Sequence, residues 1–236
     1  MLSSLDRDVV EEVWFASGPF RLQGELAYPE SQPPRGTVAL AGPHPMLGGR
    51  LGNNVVRGVA AGLAQRSSAV LSFNYRGVAG SEGKTGDPLA GFEEFWSTSH
   101  ASGELEYAND FRAAVAALGD MLGQDLPLAL VGYSFGCTLL PHVDCGANVP
   151  LALIAPTLGH HDYTEFARIR NPMLVVAPEG DFAADDGLVE EWFQTLPVTS
   201  RLVRGKWDNH FFRGHEDRLA ALIYEFTTAA WRNPCR

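Results

Sequence analysis

The sequence predicts an α/β domain built on an eight-stranded, mostly parallel sheet with helices on both of its faces. Three observations carry that expectation. Short apolar runs of strand length alternate with amphipathic helical patterns, the signature of parallel βαβ units. One of those runs, Leu128–Val131, leads straight into Gly132-Tyr133-Ser134-Phe135-Gly136. In such a GxSxG turn the glycines let the backbone reverse so sharply that a serine hydroxyl is left exposed above the sheet. Further along, a carboxylate and a histidine each follow another strand-length run. In a chain with 25 glycines the GxSxG pattern alone is weak, and its weight comes from the strand before it and the helix after it.

Taken in order, Val13–Ala16 and Phe20–Tyr28 read as an antiparallel hairpin across Ser17-Gly18-Pro19. A third strand, Gly36–Leu40, opens into Ala41–Gly49, AGPHPMLGG, a loop so dense in Gly and Pro that the backbone must turn abruptly or come close to something. Asn53 and Asn54 can cap the next helix, in which Val55, Val56, Val59 and Leu63 keep helical spacing through Gln65. Ala69–Phe73 is a strand, followed by the glycine-punctuated turn Asn74–Gly83. Residues 84–103 have no clean period but hold Phe92, Phe95 and Trp96. Rings of that size cost about 2 kcal/mol each when left in water, so they join the core, join an oligomer contact, or form a lid over the site. The helix Glu104–Leu122 carries an apolar stripe of Leu105, Ala108, Phe111, Val115 and Leu118. After Ser134 a short helix ends near Pro141–Gly146, and Leu151–Ala155 and Met173–Ala177 are two more strands. Asp185 or Asp186 caps a helix through Phe193, Arg201–Val203 is a last strand, and an amphipathic helix runs from about Glu216 to Trp231. No linker divides residues 1–236, which read as one domain with 84–103 as a candidate lid insertion.

Composition narrows the partners. With 18 basic against 28 acidic side chains the net charge is −10, which repels nucleic acid and anionic membranes and disfavours a polyanionic substrate. A neutral small molecule is the expected ligand, and a homo-oligomer stays open. No apolar run is long enough to span a membrane. The stretch MLSSLDRDVVEE is acidic and lacks the apolar core of a signal peptide, so a cytoplasmic location is expected. Cys137, Cys145 and Cys235 are odd in number and lack CxxC spacing, which favours neither a disulfide framework nor a zinc site.

Serine does not ionise near neutral pH, so Ser134 as a nucleophile needs a general base within hydrogen-bond reach and a third group to orient that base. Ligands bind open α/β sheets at the carboxyl ends of the strands, and position therefore discriminates. Among the seven histidines, His210 follows the last predicted strand in GKWDNHFFRG, whereas His100 and His215 suit a surface loop. His160 and His161 with Asp162 could suggest a metal pair, but no third ligand has suitable spacing, and no metal or cofactor is expected. Asp181 lies in PEGD just past the strand Met173–Ala177 and is the expected orienting acid, with Asp162 in reserve; Asp208 is too near His210 in sequence to face its ring. Negative charge developing on a carbonyl oxygen calls for backbone N–H donors. Phe135 offers the first. Pro43 and Pro45 have no N–H, which leaves His44 for the second, with Met46 in reserve. Met46, Phe92, Phe95 and Trp96 are the expected substrate contacts. Arg76 is expected to make structural hydrogen bonds, and Cys137 to be a small buried residue.

Together the residues carry a resemblance. His44–Gly49, Asn54-Val55-Val56, FNYRGVAGSEG, GYSFG, EGD and NHFFRG make the chain similar to the α/β-hydrolase superfamily, in particular to small bacterial hydrolases related to the dienelactone hydrolases. It departs from them in having Gly42-Pro43-His44-Pro45 where they carry HPHP, and in a longer segment before the Glu104 helix. The resemblance implies an α/β-hydrolase fold and a serine hydrolase of esters or thioesters. A carboxylesterase with the triad Ser134, Asp181 and His210 is the expected activity. Thioesterase, lactonase or peptidase activity would use the same apparatus, and a non-catalytic binding protein could share the fold.

Overall fold

Eight strands make one sheet in the computed structural model, which describes residues 8–84, 93–94, 97–98 and 103–232. In chain order they are β1 (Asp8–Ser17), β2 (Phe20–Pro29), β3 (Gly36–Ala41), β4 (Ser68–Phe73), β5 (Leu128–Tyr133), β6 (Leu151–Ile154), β7 (Met173–Pro178) and β8 (Arg201–Gly205). Their spatial order is β1-β2-β4-β3-β5-β6-β7-β8. Only β2 runs against its neighbours, pairing antiparallel with β1 and β4, and every other pair is parallel.

The hairpin closes on the Ser17–Phe20 pair, with Gly18 at φ 57° where a tight two-residue turn demands a positive φ. From there β1 extends to Asp8, well beyond the expected Val13–Ala16. Its first half is an edge strand bearing Glu11 and Glu12 with their faces toward water, so backbone pairing with β2 sets its length and no apolar alternation announces it. Strands β3, β4, β6 and β7 are buried along their whole length, as parallel strands covered on both faces must be.

The helices with described bounds are α1 (Asn54–Ala64), α2 (Tyr107–Leu122), α3 (Gly136–Leu139), α4 (Asp186–Phe193) and α5 (Glu216–Arg232). On one face Val55, Val59 and Leu63 of α1 and Leu219 and Ile223 of α5 pack with Val38, Leu40 and Val131 of the sheet. On the other, Phe111, Ala114 and Leu118 of α2 and Trp192 of α4 pack with Ala39, Leu71 and Leu130. Asn53 caps α1 by accepting from the Val55 and Val56 amides, and Asp185 caps α4 in the same way.

The segment before α2 departs from its expected form. Residues Glu104–Glu106 make a 3-10 turn and the α-helix begins only at Tyr107. The tighter turn rotates Leu105 off the apolar face, so it is 63% exposed, while Glu104 is turned inward and buried. Ala114 takes a core position that the stripe had assigned to Val115. Asp110 on α2 is fully buried and is held by the Arg76 guanidinium at 2.7 Å and the Ser17 hydroxyl at 2.7 Å. Arg76 thereby ties the β4 exit to α2, the structural role expected of it.

The chain leaves β3 toward β4 on one side and returns to β5 on the other, so β3 and β5 are adjacent with their outgoing loops diverging. That is a topological switch point, where a crevice opens at the carboxyl ends of the strands. It brings the Ala41–Gly49 loop beside Ser134.

Candidate active site

Ser134 follows β5 with φ 55°, a left-handed conformation that a residue bearing a side chain rarely adopts. Backbone contacts hold it there. The Ser134 amide donates to the Ile154 carbonyl of β6 at 2.8 Å, and the Ser134 and Phe135 carbonyls accept the first bonds of α3. A Cβ on Gly132 would meet the Gly136 carbonyl and the Cys137 amide, and one on Gly136 would meet the Ala41 and Gly42 carbonyls. Both glycines of GxSxG are thus required by close backbone approach, which is why the elbow needs them at this spacing.

Three sequence-distant side chains meet at this turn. His210 Nε2 lies 3.0 Å from Ser134 Oγ, and His210 Nδ1 lies 3.0 and 2.9 Å from the two carboxylate oxygens of Asp181. Asp181 sits past β7 and also accepts the Ala183 amide at 3.0 Å. The His210 and Asp181 side chains are 5% and 3% exposed. In that dry setting a proton on Nδ1 is held toward the carboxylate and the Nε2 lone pair faces the serine hydroxyl, the arrangement this network assigns. Tyr133 anchors the histidine loop by donating its hydroxyl to the His210 carbonyl at 3.1 Å, and burial pushes its phenol far above the ordinary range. The reserve acid Asp162 is exposed and closes its own turn by accepting the Thr164 amide at 2.8 Å, a bond that lowers its pKa. Cys137 is fully buried with its thiol pushed well up by desolvation.

The loop after β3 is tied down from several sides. Tyr75 donates to the Gly42 carbonyl at 2.9 Å. The Leu47 and Gly49 amides both donate to the His44 carbonyl at 2.9 Å, and the Met46 amide donates to His44 Nδ1 at 3.2 Å. Met46, held in reserve as an oxyanion donor, has its N–H engaged in this way. Its neighbour Leu47, not Met46, lines the cavity, because the 3-10 turn Pro45–Leu47 turns Leu47 to the crevice. The Phe135 amide has no hydrogen-bond partner among the described residues. Phe92, Phe95 and Trp96, the other expected substrate contacts, lie outside the described residues.

Ser134 and His210 open into a cavity of about 520 Å3. Its walls include Leu47, Tyr133, Thr157, His161, Phe182 and Phe211. Phe182 is 69% exposed with its ring 4.8 Å from that of His210, and Phe211 is 44% exposed. A second cavity of about 420 Å3 shares the Phe135 and His161 walls. These contacts were not read from the sequence, although one signal was present: Phe182 and Phe211 directly follow Asp181 and His210 on the same loops. Among the described residues no group of three His, Cys, Asp or Glu side chains could hold a metal ion, and no helix is long and apolar enough to cross a membrane.

Comparison with solved structures places the architecture. The chain superposes on XC6422 from Xanthomonas campestris, an α/β serine hydrolase without lid, with a TM-score of 0.75 and 23% identity over 93% of this chain and 94% of that one. The dienelactone hydrolase of Anabaena variabilis gives a TM-score of 0.72 at 18% identity, covering 94% of this chain and 98% of that one. Est1E of Butyrivibrio proteoclasticus, solved with ferulic acid bound, gives 0.73 at 14% identity, covering 93% and 99%. No family model matches the chain. An uncharacterised protein of Rickettsia prowazekii, RP471, is 25% identical over 232 residues, 91% of this chain and 87% of that one. The chain has the α/β-hydrolase fold, in agreement with the resemblance of its motifs.

Proposed function

We propose that this protein is a serine hydrolase that cleaves carboxylic esters of neutral, apolar small molecules. The observation that carries the reading is the hydrogen-bonded line Ser134–His210–Asp181 ending in a cavity faced by Leu47, Phe182 and Phe211. Neighbours of the same fold described as a serine hydrolase and as an esterase support the reaction class.

In this mechanism His210 Nε2 takes the proton of Ser134 Oγ as that oxygen bonds to the ester carbonyl carbon. Asp181 stabilises the imidazolium that forms and keeps the ring in the required tautomer. The carbonyl oxygen, now negative, accepts from the Phe135 amide and, as second donor, from the His44 amide, each contributing roughly 3 kcal/mol. Collapse breaks the bond to the leaving alkoxide, which takes the proton from His210. Water then gives a proton to His210 and its oxygen to the acyl carbon, and release of the carboxylic acid returns the proton to Ser134. A cavity of this size suits a small ester, and its apolar rim disfavours a charged one.

Labelling with a fluorophosphonate probe tests the reading. The wild-type protein should label at Ser134 and Ser134→Ala should not; a folded wild-type protein that fails to label would sink the proposal.

A further inference from the structure

The mechanism leaves a second buried carboxylate unused, one that lines the adjoining cavity of about 420 Å3 behind Phe135 and His161. Glu104, 8% exposed on the 3-10 turn that leads into α2, lies between two imidazoles. Its Oε1 is 3.1 Å from His44 Nε2 and its Oε2 is 3.6 Å from His161 Nε2. Because His44 Nδ1 accepts the Met46 amide, the neutral ring carries its proton on Nε2 and donates it to Glu104. On the other side, His161 Nδ1 is 2.9 Å from Thr157 Oγ1, which is 3.2 Å from the Tyr163 hydroxyl. Tyr163 accepts the Thr157 amide at 2.9 Å. One assignment suits these contacts: the Tyr163 hydroxyl donates to Thr157 Oγ1, Thr157 donates to His161 Nδ1, and the His161 proton on Nε2 faces Glu104 at ion-pair distance.

The two imidazoles also flank one ring. Phe135 has its centroid 4.7 Å from that of His44 and 5.7 Å from that of His161. Phe135 and His44 are the residues whose amides serve the oxyanion in the proposed mechanism. Burying a carboxylate is costly unless donors compensate it, and here the donors are the side chains that fix these two residues.

We infer that Glu104 is a positioning residue for the oxyanion hole: through His44 and His161 it sets the β3 loop against Phe135 so that both amides aim at one point. Donors of this kind act by being fixed before the charge develops, and a misplacement of about 1 Å can cost on the order of 100-fold in rate. The inference rests on the proposed hydrolase reading and concerns the same site.

The test compares Glu104→Ala and Glu104→Gln with the wild type on a p-nitrophenyl ester. It adds inhibition by an aryl trifluoromethyl ketone, whose adduct on Ser134 places an oxyanion in the hole. Glu104→Ala should lower kcat about 10- to 100-fold with KM within about twofold, and should weaken the ketone by the same factor as kcat. Glu104→Gln, whose side-chain oxygen still accepts from His44, should recover most of that loss. A folded Glu104→Ala with kcat and ketone affinity within twofold of wild type, or with its loss in KM alone, would overturn the inference. If Glu104→Ala does not fold, His161→Phe decides: it keeps an aromatic ring against Phe135 but loses the link to Glu104, so kcat and ketone affinity must fall together or the inference fails. Failure of the wild type to label with fluorophosphonate would overturn the hydrolase reading itself, whereas normal labelling with unchanged Glu104 variants overturns this inference alone.

Discussion

Two buried imidazole–carboxylate pairs, His210–Asp181 and His44–Glu104, lie near the nucleophile turn, and they are wired in opposite senses. In His210–Asp181 the carboxylate takes Nδ1 and leaves Nε2 facing the Ser134 hydroxyl. In His44–Glu104 a backbone amide takes Nδ1 and the carboxylate takes Nε2. The first ring can therefore accept a proton from a neighbour that has one to give, while both nitrogens of the second face fixed partners. The difference teaches that proximity of histidine to a carboxylate does not define a base; what the other ring nitrogen faces does. A third buried carboxylate, Asp110, marks the limit of the series, since its partner Arg76 does not deprotonate and can only hold structure.

The comparison breaks most easily at the first pair. Ser134→Ala and His210→Ala should each lower esterase kcat by at least about 10^4-fold with no loss of fold, because in the proposed mechanism the three residues act as a unit. Asp181→Asn should cost about 10^4-fold through loss of the required tautomer, while Asp162→Asn, which touches only a surface turn, should leave kcat within about twofold. Steady-state kinetics with circular dichroism checks all four, and a crippled Asp162→Asn would dismiss Asp181 as the acid. Since only neutral imidazole can take the serine proton, kcat/KM should also fall on acidification; a flat profile between about pH 5 and 8 would count against a histidine base.

The structural pair should respond in stability. Arg76→Ala strips the guanidinium from the fully buried Asp110 and should destabilise the fold by about 3 kcal/mol, read as a lower urea midpoint. The folded fraction should still label at Ser134. Loss of labelling in folded protein would place Arg76 in the chemistry instead.

At the cavity rim the expected effect is selective. Phe182→Ala and Phe211→Ala should each lower kcat/KM for aromatic or long-chain esters about tenfold relative to acetate esters, with little change in Tm because both rings are exposed. Equal losses on large and small esters would assign the rings to support of His210 and leave substrate contact to other residues.

The smallest effect concerns the thiols, which sharpen the contrast between buried groups that are wired for proton transfer and those that are only buried. Desolvation, assisted by the charge of Asp144, raises Cys145 to about 11 from an ordinary 9.0, and burial raises Cys137 further. Neither should alkylate with iodoacetamide at pH 8 until the protein is unfolded, as peptide mapping would show. With a folded pKa above the unfolded one, the stabilisation from a neutral Cys145 is fully present below about pH 9 and is lost as pH rises through about 11. Cys145→Ala should therefore flatten part of the alkaline fall in stability.

What the sequence determined by itself was local and chemical. The GxSxG elbow, the strand-length runs around it and the downstream positions of Asp181 and His210 were legible, because turn geometry and strand burial each leave a short-range mark on residue choice. Arg76 and Cys137 were also readable as structural residues. The tertiary structure decided what depends on partners far apart in the chain. Glu104 and His44 are 60 residues apart, and no period in the sequence says that a 3-10 turn will rotate the carboxylate inward and leave Leu105 outside. The length of β1 was hidden because an edge strand draws its order from backbone pairing with β2 rather than from apolar side chains. The cavity wall of Leu47, Phe182 and Phe211 likewise exists only once loops from β3, β7 and β8 converge at the carboxyl edge of the sheet. Sequence patterns record which face of a strand or helix is buried, whereas a site records which loops meet, and that is set by the order in which the strands are stacked.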